Sequence, residues 1–180
     1  MVKRNLFLYK EIDAETVGNI TEEILSINDY DDVQESQLLE YNRAPIYLYI
    51  NSPGGVCYDG FALMDIMQTS RTPIITVAIG KCMSMGLLIF LMGHQRYAAK
   101  NVTFMYHSVA GHIADKIAGM RQEINELPRV NDVCSNLITQ KTKIKKAKLQ
   151  GYIDSKSDWY FNASDAITMG VAQSFYKGNI

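Results

Sequence analysis

The chain reads as an α/β protein whose strands and helices alternate as βαβ units. Five strand-like runs, at 5–9, 46–50, 74–79, 102–106 and 171–175, are separated by segments in which apolar residues recur at helical spacing. Strands alternating with helices join most simply in parallel, with helices covering the sheet. At 180 residues with 47% hydrophobic side chains, the chain suits a single domain with a real core. No repeat, linker or low-complexity stretch divides it, so residues 1–180 are expected to fold as one unit.

The first run, Asn5 to Tyr9, leads into a helical pattern with Val17, Ile20, Ile24 and Ile27 on one face. The second, Ile46-Tyr47-Leu48-Tyr49-Ile50, is followed at once by Asn51-Ser52-Pro53-Gly54-Gly55 and then by a helix with Phe61, Met64 and Met67 aligned. The third, Ile74 to Ile79, runs through Cys82-Met83-Ser84-Met85-Gly86 into the apolar block Leu87 to Met92. The fourth, Val102 to Tyr106, ends at His107. A long helical pattern then spans about Asp115 to Leu149, and Pro128 inside it predicts a kink or two helices meeting there. Asn162 with Asp165 three residues on resembles a cap for a short helix closed by Gly170, before the last strand.

Ser84 is the most informative residue. An unpaired hydroxyl between two apolar segments costs about 1–3 kcal/mol, which makes it a candidate nucleophile. Among three histidines, His107 alone sits at a strand end from which it can reach a cleft. Asp158 follows a polar turn and precedes the aromatic cluster Trp159-Tyr160-Phe161, which is expected to shield its carboxylate. In that arrangement His107 takes the Ser84 proton and Asp158 orients the imidazole. Gly54 and Gly55 let backbone approach a substrate, so the amides of Gly55 and Met85 are the expected oxyanion donors, with the helix dipole after Ser84 adding to them. Each feature also has a plain structural explanation: an N-cap, a satisfied strand-end histidine, a turn. The chain order of glycine loop, Ser, His and Asp differs from that of α/β-hydrolases, chymotrypsin and subtilisin. Cys82 occupies the first glycine position of a G-x-S-x-G elbow, so that motif is not present.

The segment Tyr47 to Gly55, the turn Ser84-Met85-Gly86, His107 after Met105-Tyr106, and Asp158 before Phe161-Asn162-Ala163 together resemble the proteolytic subunit of the Clp protease. The resemblance runs from about Asn5 to Phe175. It implies an α/β crotonase-like fold of ββα-type repeats, with a head at about 1–108 and 150–180 and a protruding helical handle at about 109–149. It also implies a serine endopeptidase acting on unfolded or short polypeptides, with Ser84, His107 and Asp158 as the catalytic set. Gly54, Val56 and Ser108 would contact substrate. Self-association into two stacked seven-membered rings enclosing the active sites, and an AAA+ unfoldase partner docking near Tyr47, Tyr49 and Tyr97, follow from the same likeness. Members commonly begin with an extra axial segment, where Met1-Val2-Lys3-Arg4 here leads almost directly into a strand. After His107, Ser108-Val109-Ala110-Gly111-His112 replaces the family's Gln-Pro and glycine-rich strand. Ser157 stands where relatives often carry arginine, and Cys82-Met83 replaces small residues before the nucleophile.

Cys57, Cys82 and Cys134 lack metal-ligand spacing, so free buried thiols are expected, with no metal and no cofactor. The basic stretch Lys141 to Lys148 reads as a solvated helix face at net charge −1, which argues against a nucleic-acid surface. The charged start is unlike a signal peptide and Leu87 to Met92 is too short to span a bilayer, so the expectation is a cytoplasmic protein without membrane contact. Two other readings share the fold: a catalytically silent ring subunit, and an acyl-CoA enzyme whose oxyanion glycines serve a thioester.

Overall fold

The computed structural model describes residues 2–110 and 116–178. Its first strand, β1 (Asn5–Leu8), leads to α1 (Ala14–Gln37), which begins where the Asp13 carboxylate accepts a hydrogen bond from the Thr16 amide at 2.7 Å. The buried stripe of α1 is Val17, Ile20, Ile24 and Ile27, the residues whose spacing announces it, and it ends with Asp31. A fully buried carboxylate needs partners. Asp31 accepts from the Arg4 guanidinium at 2.9 and 2.5 Å, from the Tyr41 hydroxyl at 2.5 Å and from Thr72 at 2.6 Å. One charge thereby ties the chain before β1, the segment after α1 and the approach to the third strand into one corner.

β2 (Ile46–Ser52) alternates buried and half-buried residues throughout, and α2 (Cys57–Thr69) packs Leu63, Met64 and Met67 inward. β3 (Ile74–Met83) is the central strand, followed by α3 (Met85–Leu91), in which every residue is buried. Next come β4 (Gln95–Ala98), β5 (Thr103–Tyr106), α4 (Ile117–Lys141), α5 (Lys146–Ser155), β6 (Trp159–Asn162), α6 (Ala163–Thr168) and β7 (Ser174–Phe175). Strands β1-β2-β3-β4-β7 lie side by side in that order, all parallel. The first half of β3 pairs with β4 and its last residues pair with β5, which carries β6 antiparallel on its far side. The outcome is the mixed α/β architecture with a mostly parallel sheet that the alternating pattern predicts.

Two local expectations are corrected, and two short strands are not foreseen from the sequence. The run 171–175 yields a strand only at Ser174–Phe175; residues 171–173 bend, and the Gln173 amide bonds the Arg96 carbonyl at 2.9 Å. β4 and β6 carry no sequence signal beyond four residues each, too short for a period to stand out. α4 continues through Pro128, and the helical division falls at 142–145 instead. Pro128 and Ile124, whose carbonyl loses its partner, both face solvent, so water can supply the missing bond. At the true break, the Thr142 hydroxyl donates to the Ile138 carbonyl at 2.6 Å and accepts from the Ile144 amide at 3.1 Å, taking over from the helical ladder. The expected start of the helical pattern at Asp115 lies outside the described residues.

Candidate active site

Three parallel strands deliver the key residues to the same edge of the sheet. β2 ends at Ser52 before Gly54-Gly55, β3 at Met83 before Ser84, and β5 at Tyr106 before His107. Carboxyl ends of parallel strands are where α/β sheets bind ligands, because the connections there leave a crevice. Met83 pairs with Met105, and the Ser84 amide donates to the Met105 carbonyl at 2.9 Å, so the register sets Ser84 beside the end of β5. His107 Nε2 lies 2.8 Å from Ser84 Oγ.

Ser84 occupies the N-cap position of α3, yet its side chain caps nothing. Its backbone has φ 50° and ψ −124°, a conformation that costs a non-glycine residue about 1–3 kcal/mol and clusters at functional sites. Gly54 makes the turn possible. With φ +103°, a Cβ there would stand 2.7 Å from Ser84 Cβ and 3.1 Å from Ser84 Oγ. The loop is anchored on the other side by Ile12, whose amide donates to the Gly54 carbonyl at 2.9 Å and whose carbonyl accepts from Val56 at 2.8 Å. Those bonds leave the Gly55 N–H without an acceptor among the described residues. Met85, first residue of α3, likewise has no helical carbonyl four residues before it.

A cleft of about 580 Å3 opens over these groups, lined by Gly55, Val56, Ser84, Met85 and His107. Leu88, Tyr106 and Val109 contribute apolar surface, and Glu11 is the one carboxylate among the described residues that line it. Two thiols also line it. Burial raises the pKa of Cys57, and burial together with the Cys57 thiol pushes Cys134 up to about 12, so both are neutral apolar wall near pH 7. Cys82, beneath the nucleophile, is fully buried and directs its thiol to the Gly86 carbonyl at 3.3 Å.

The remaining candidates lie where the strands carry them. Tyr106 pairs with Trp159 across the β5–β6 ladder, so continuing the register one residue sets His107 opposite Asp158. No hydrogen bond joins them, and Asp158 is exposed. Trp159 and Phe161 turn inward to stack on Tyr152 and Phe104, while Tyr160 points out, so the aromatic cluster does not shield the carboxylate as expected. Ser108 does not line the cleft, whereas its neighbours Val109 and Ala110 do. Gly111 and His112 lie outside the described residues. His94 is structural: its Nδ1 accepts from the Ile74 amide at 3.1 Å. Tyr47, Tyr49 and Tyr97 are half-buried on one face of the sheet, away from the cleft, with Tyr49 stacked on Phe7 and its hydroxyl 2.8 Å from that of Tyr176.

The family model for Clp protease matches residues 1–178. The chain belongs to the Clp protease family. A curated relative, "ATP-dependent Clp protease proteolytic subunit 1" of Borreliella burgdorferi, is 27% identical over 175 residues, covering 96% of this chain and 84% of its own. Family and fold class thus agree with the resemblance carried by the glycine loop and the Ser84 turn. Within this Clp protease family chain, sequence reasoning missed Glu11, Ile12, Cys57 and Cys134 as parts of the cleft and its supports. Only Ile12, an isolated apolar residue between charged neighbours, offered a signal.

Proposed function

We propose that this chain is a serine endopeptidase that hydrolyses peptide bonds of unfolded or short polypeptides. The observation that carries the reading is Ser84 Oγ within 2.8 Å of His107 Nε2, in a strained turn against Gly54. A serine that merely capped α3 would bond the helix amides and need no positive φ. His107 takes the proton as Ser84 Oγ attacks the scissile carbonyl and returns it to the leaving amine. The amides of Gly55 and Met85, both without an acceptor among the described residues, hold the developing oxyanion. Asp158, one residue beyond the ladder pair Tyr106–Trp159 and so opposite His107, is the carboxylate assigned to orient the imidazole through Nδ1.

Family membership supports assembly into stacked seven-membered rings, with the active sites in an enclosed chamber in the cytoplasm. The relative's name, an ATP-dependent protease subunit, supports an ATP-dependent partner; on this reading an AAA+ unfoldase is assigned to the aromatic face around Tyr47, Tyr49 and Tyr97. Among the described residues no helix is long and apolar enough to cross a membrane.

The test is labelling of the purified chain by a serine-directed fluorophosphonate, with peptide hydrolysis measured alongside. Both occur in the wild type and are lost in Ser84→Ala; labelling that persists in Ser84→Ala would refute the assignment. A second reading, a catalytically silent ring subunit, is favoured by the unengaged Asp158 and predicts no labelling in any assembly separated by native mass spectrometry.

A further inference from the structure

The long helix α4 touches the segment that carries the base at two points one helical turn apart. Ser135 Oγ lies 3.3 Å from the hydroxyl of Tyr106, the residue before His107, and both residues are buried. Asn131 Oδ1 accepts from the Val109 amide, two residues after His107, at 2.8 Å. The same Asn131 side chain donates from Nδ2 to the Leu127 carbonyl of its own helix at 3.2 Å. An asparagine amide has one accepting and one donating end. With the donor committed to Leu127, the acceptor can only face the loop. Asparagine is a poor helix former, because its side chain competes with backbone bonds, so this site spends helix stability on a contact to 109.

Val109 and Ala110 line the cleft, and beyond β5 the ladder to β6 no longer holds the chain. We infer that Asn131 is a positioning residue for substrate: by holding the Val109 amide it presents the 109–110 backbone as one wall of the peptide-binding cleft, while Ser135 steadies the chain on the other side of His107. The inference rests on the peptidase reading. It assigns to an asparagine on α4 a task that the sequence around His107 does not supply, since no proline or glycine follows the base directly to shape its backbone.

The experiment compares wild type, Asn131→Leu and Asn131→Asp. Leucine keeps the volume and the helix but accepts no hydrogen bond; aspartate still accepts. Three readouts are taken: kcat/KM on an extended peptide, the rate of Ser84 labelling by a small fluorophosphonate, and amide exchange at Val109. In Asn131→Leu, peptide kcat/KM falls about 5- to 10-fold, chiefly through KM, the expected scale for leaving one donor unpaired. Labelling, which needs no extended pairing, stays within about twofold, and Val109 exchange accelerates by about the same factor as peptide hydrolysis falls. Asn131→Asp restores peptide kcat/KM to within about threefold.

Equal losses in both variants, an unchanged peptide kcat/KM in Asn131→Leu, or labelling that falls in parallel with peptide hydrolysis would overturn the assignment. Unchanged Val109 exchange in Asn131→Leu would overturn the bond itself, and that readout needs no catalysis. A wild-type chain that neither labels nor cleaves would refute the peptidase reading and any positioning of substrate with it, even if exchange upheld the bond.

Discussion

Adding a single methyl group at Gly54 should separate catalysis from folding. In Gly54→Ala the new Cβ would lie 2.7 Å from Ser84 Cβ, 3.0 Å from the Met83 carbonyl and 3.1 Å from Ser84 Oγ. Carbon atoms pack at about 3.5–4.0 Å, so the loop and the nucleophile must part by on the order of 1 Å. The atoms that yield are the reacting ones, and a misplacement of that size costs about 100-fold in rate. Holding alanine at φ +103° adds strain of about 1–3 kcal/mol.

Gly55→Ala is the control. Its Cβ would lie 2.2 Å from the Ile12 carbonyl oxygen and 2.6 Å from the Ile12 amide nitrogen, and the clash sits on the bonds joining Ile12 to Gly54 and Val56. Two backbone hydrogen bonds and the strain come to about 2–5 kcal/mol of stability. In a chain of this size that lowers Tm by roughly 5–15 °C. Because Gly55 is also an oxyanion donor, the contrast is read in thermal melts of both variants, with the labelling rate at Ser84 measured in Gly54→Ala. A Gly54→Ala enzyme reacting at the wild-type rate would refute the reasoning, as would equal losses of Tm in the two.

Ser84→Gly should be inactive yet melt about 2–4 °C higher, because glycine relieves the positive φ at about 1 kcal/mol; an unchanged or lower Tm would mean the turn is unstrained. Burial of Asp31 raises its pKa, but hydrogen bonds from Arg4, Thr72 and Tyr41 outweigh that and hold it well below the usual carboxylate range. Its contribution is therefore complete above the unfolded pKa of about 4 and fades as pH falls further, so urea stability of the wild type should drop from pH 5 to pH 3 more steeply than that of Asp31→Asn. At pH 7 the same substitution leaves Arg4 largely buried without its partner and should cost about 3–5 kcal/mol. Because burial raises the Cys57 pKa, its alkylation by iodoacetamide should be slow at pH 7 and accelerate through pH 9; modification should block peptide cleavage by filling the cleft, and a fully alkylated enzyme with normal kcat/KM would contradict that placement.

Much of the fold is legible from single stretches of chain. The α1 stripe, the capping box of Asn162 and Asp165 on α6 and the alternation along β2 each follow from a period or a cap within about twenty residues. The short strands β4 and β6 are not legible, since four residues hold no readable period and their pairing partners decide them. Pro128 misleads for a related reason: whether a proline ends a helix depends on whether the orphaned carbonyl can reach water, and at this site both residues are exposed.

The candidate site divides in the same way. Ser84, His107 and the two glycines are visible in the sequence because a hydroxyl between apolar runs, a histidine at a strand end and a glycine pair after a strand are each local anomalies. Their meeting is not local. The pairing of β3 with β5 brings Ser84 and His107 within hydrogen-bond distance across 23 positions of chain, and the bridge from Ile12 turns the glycine loop toward them. Glu11, Cys57, Asn131 and Cys134 gain their positions from packing alone, since nothing in their neighbours marks them. Sequence alone determined which groups could do chemistry, because side-chain identity and strand-end placement are properties of short segments. Tertiary structure decided which of them meet, because a cleft is made by elements distant in the chain.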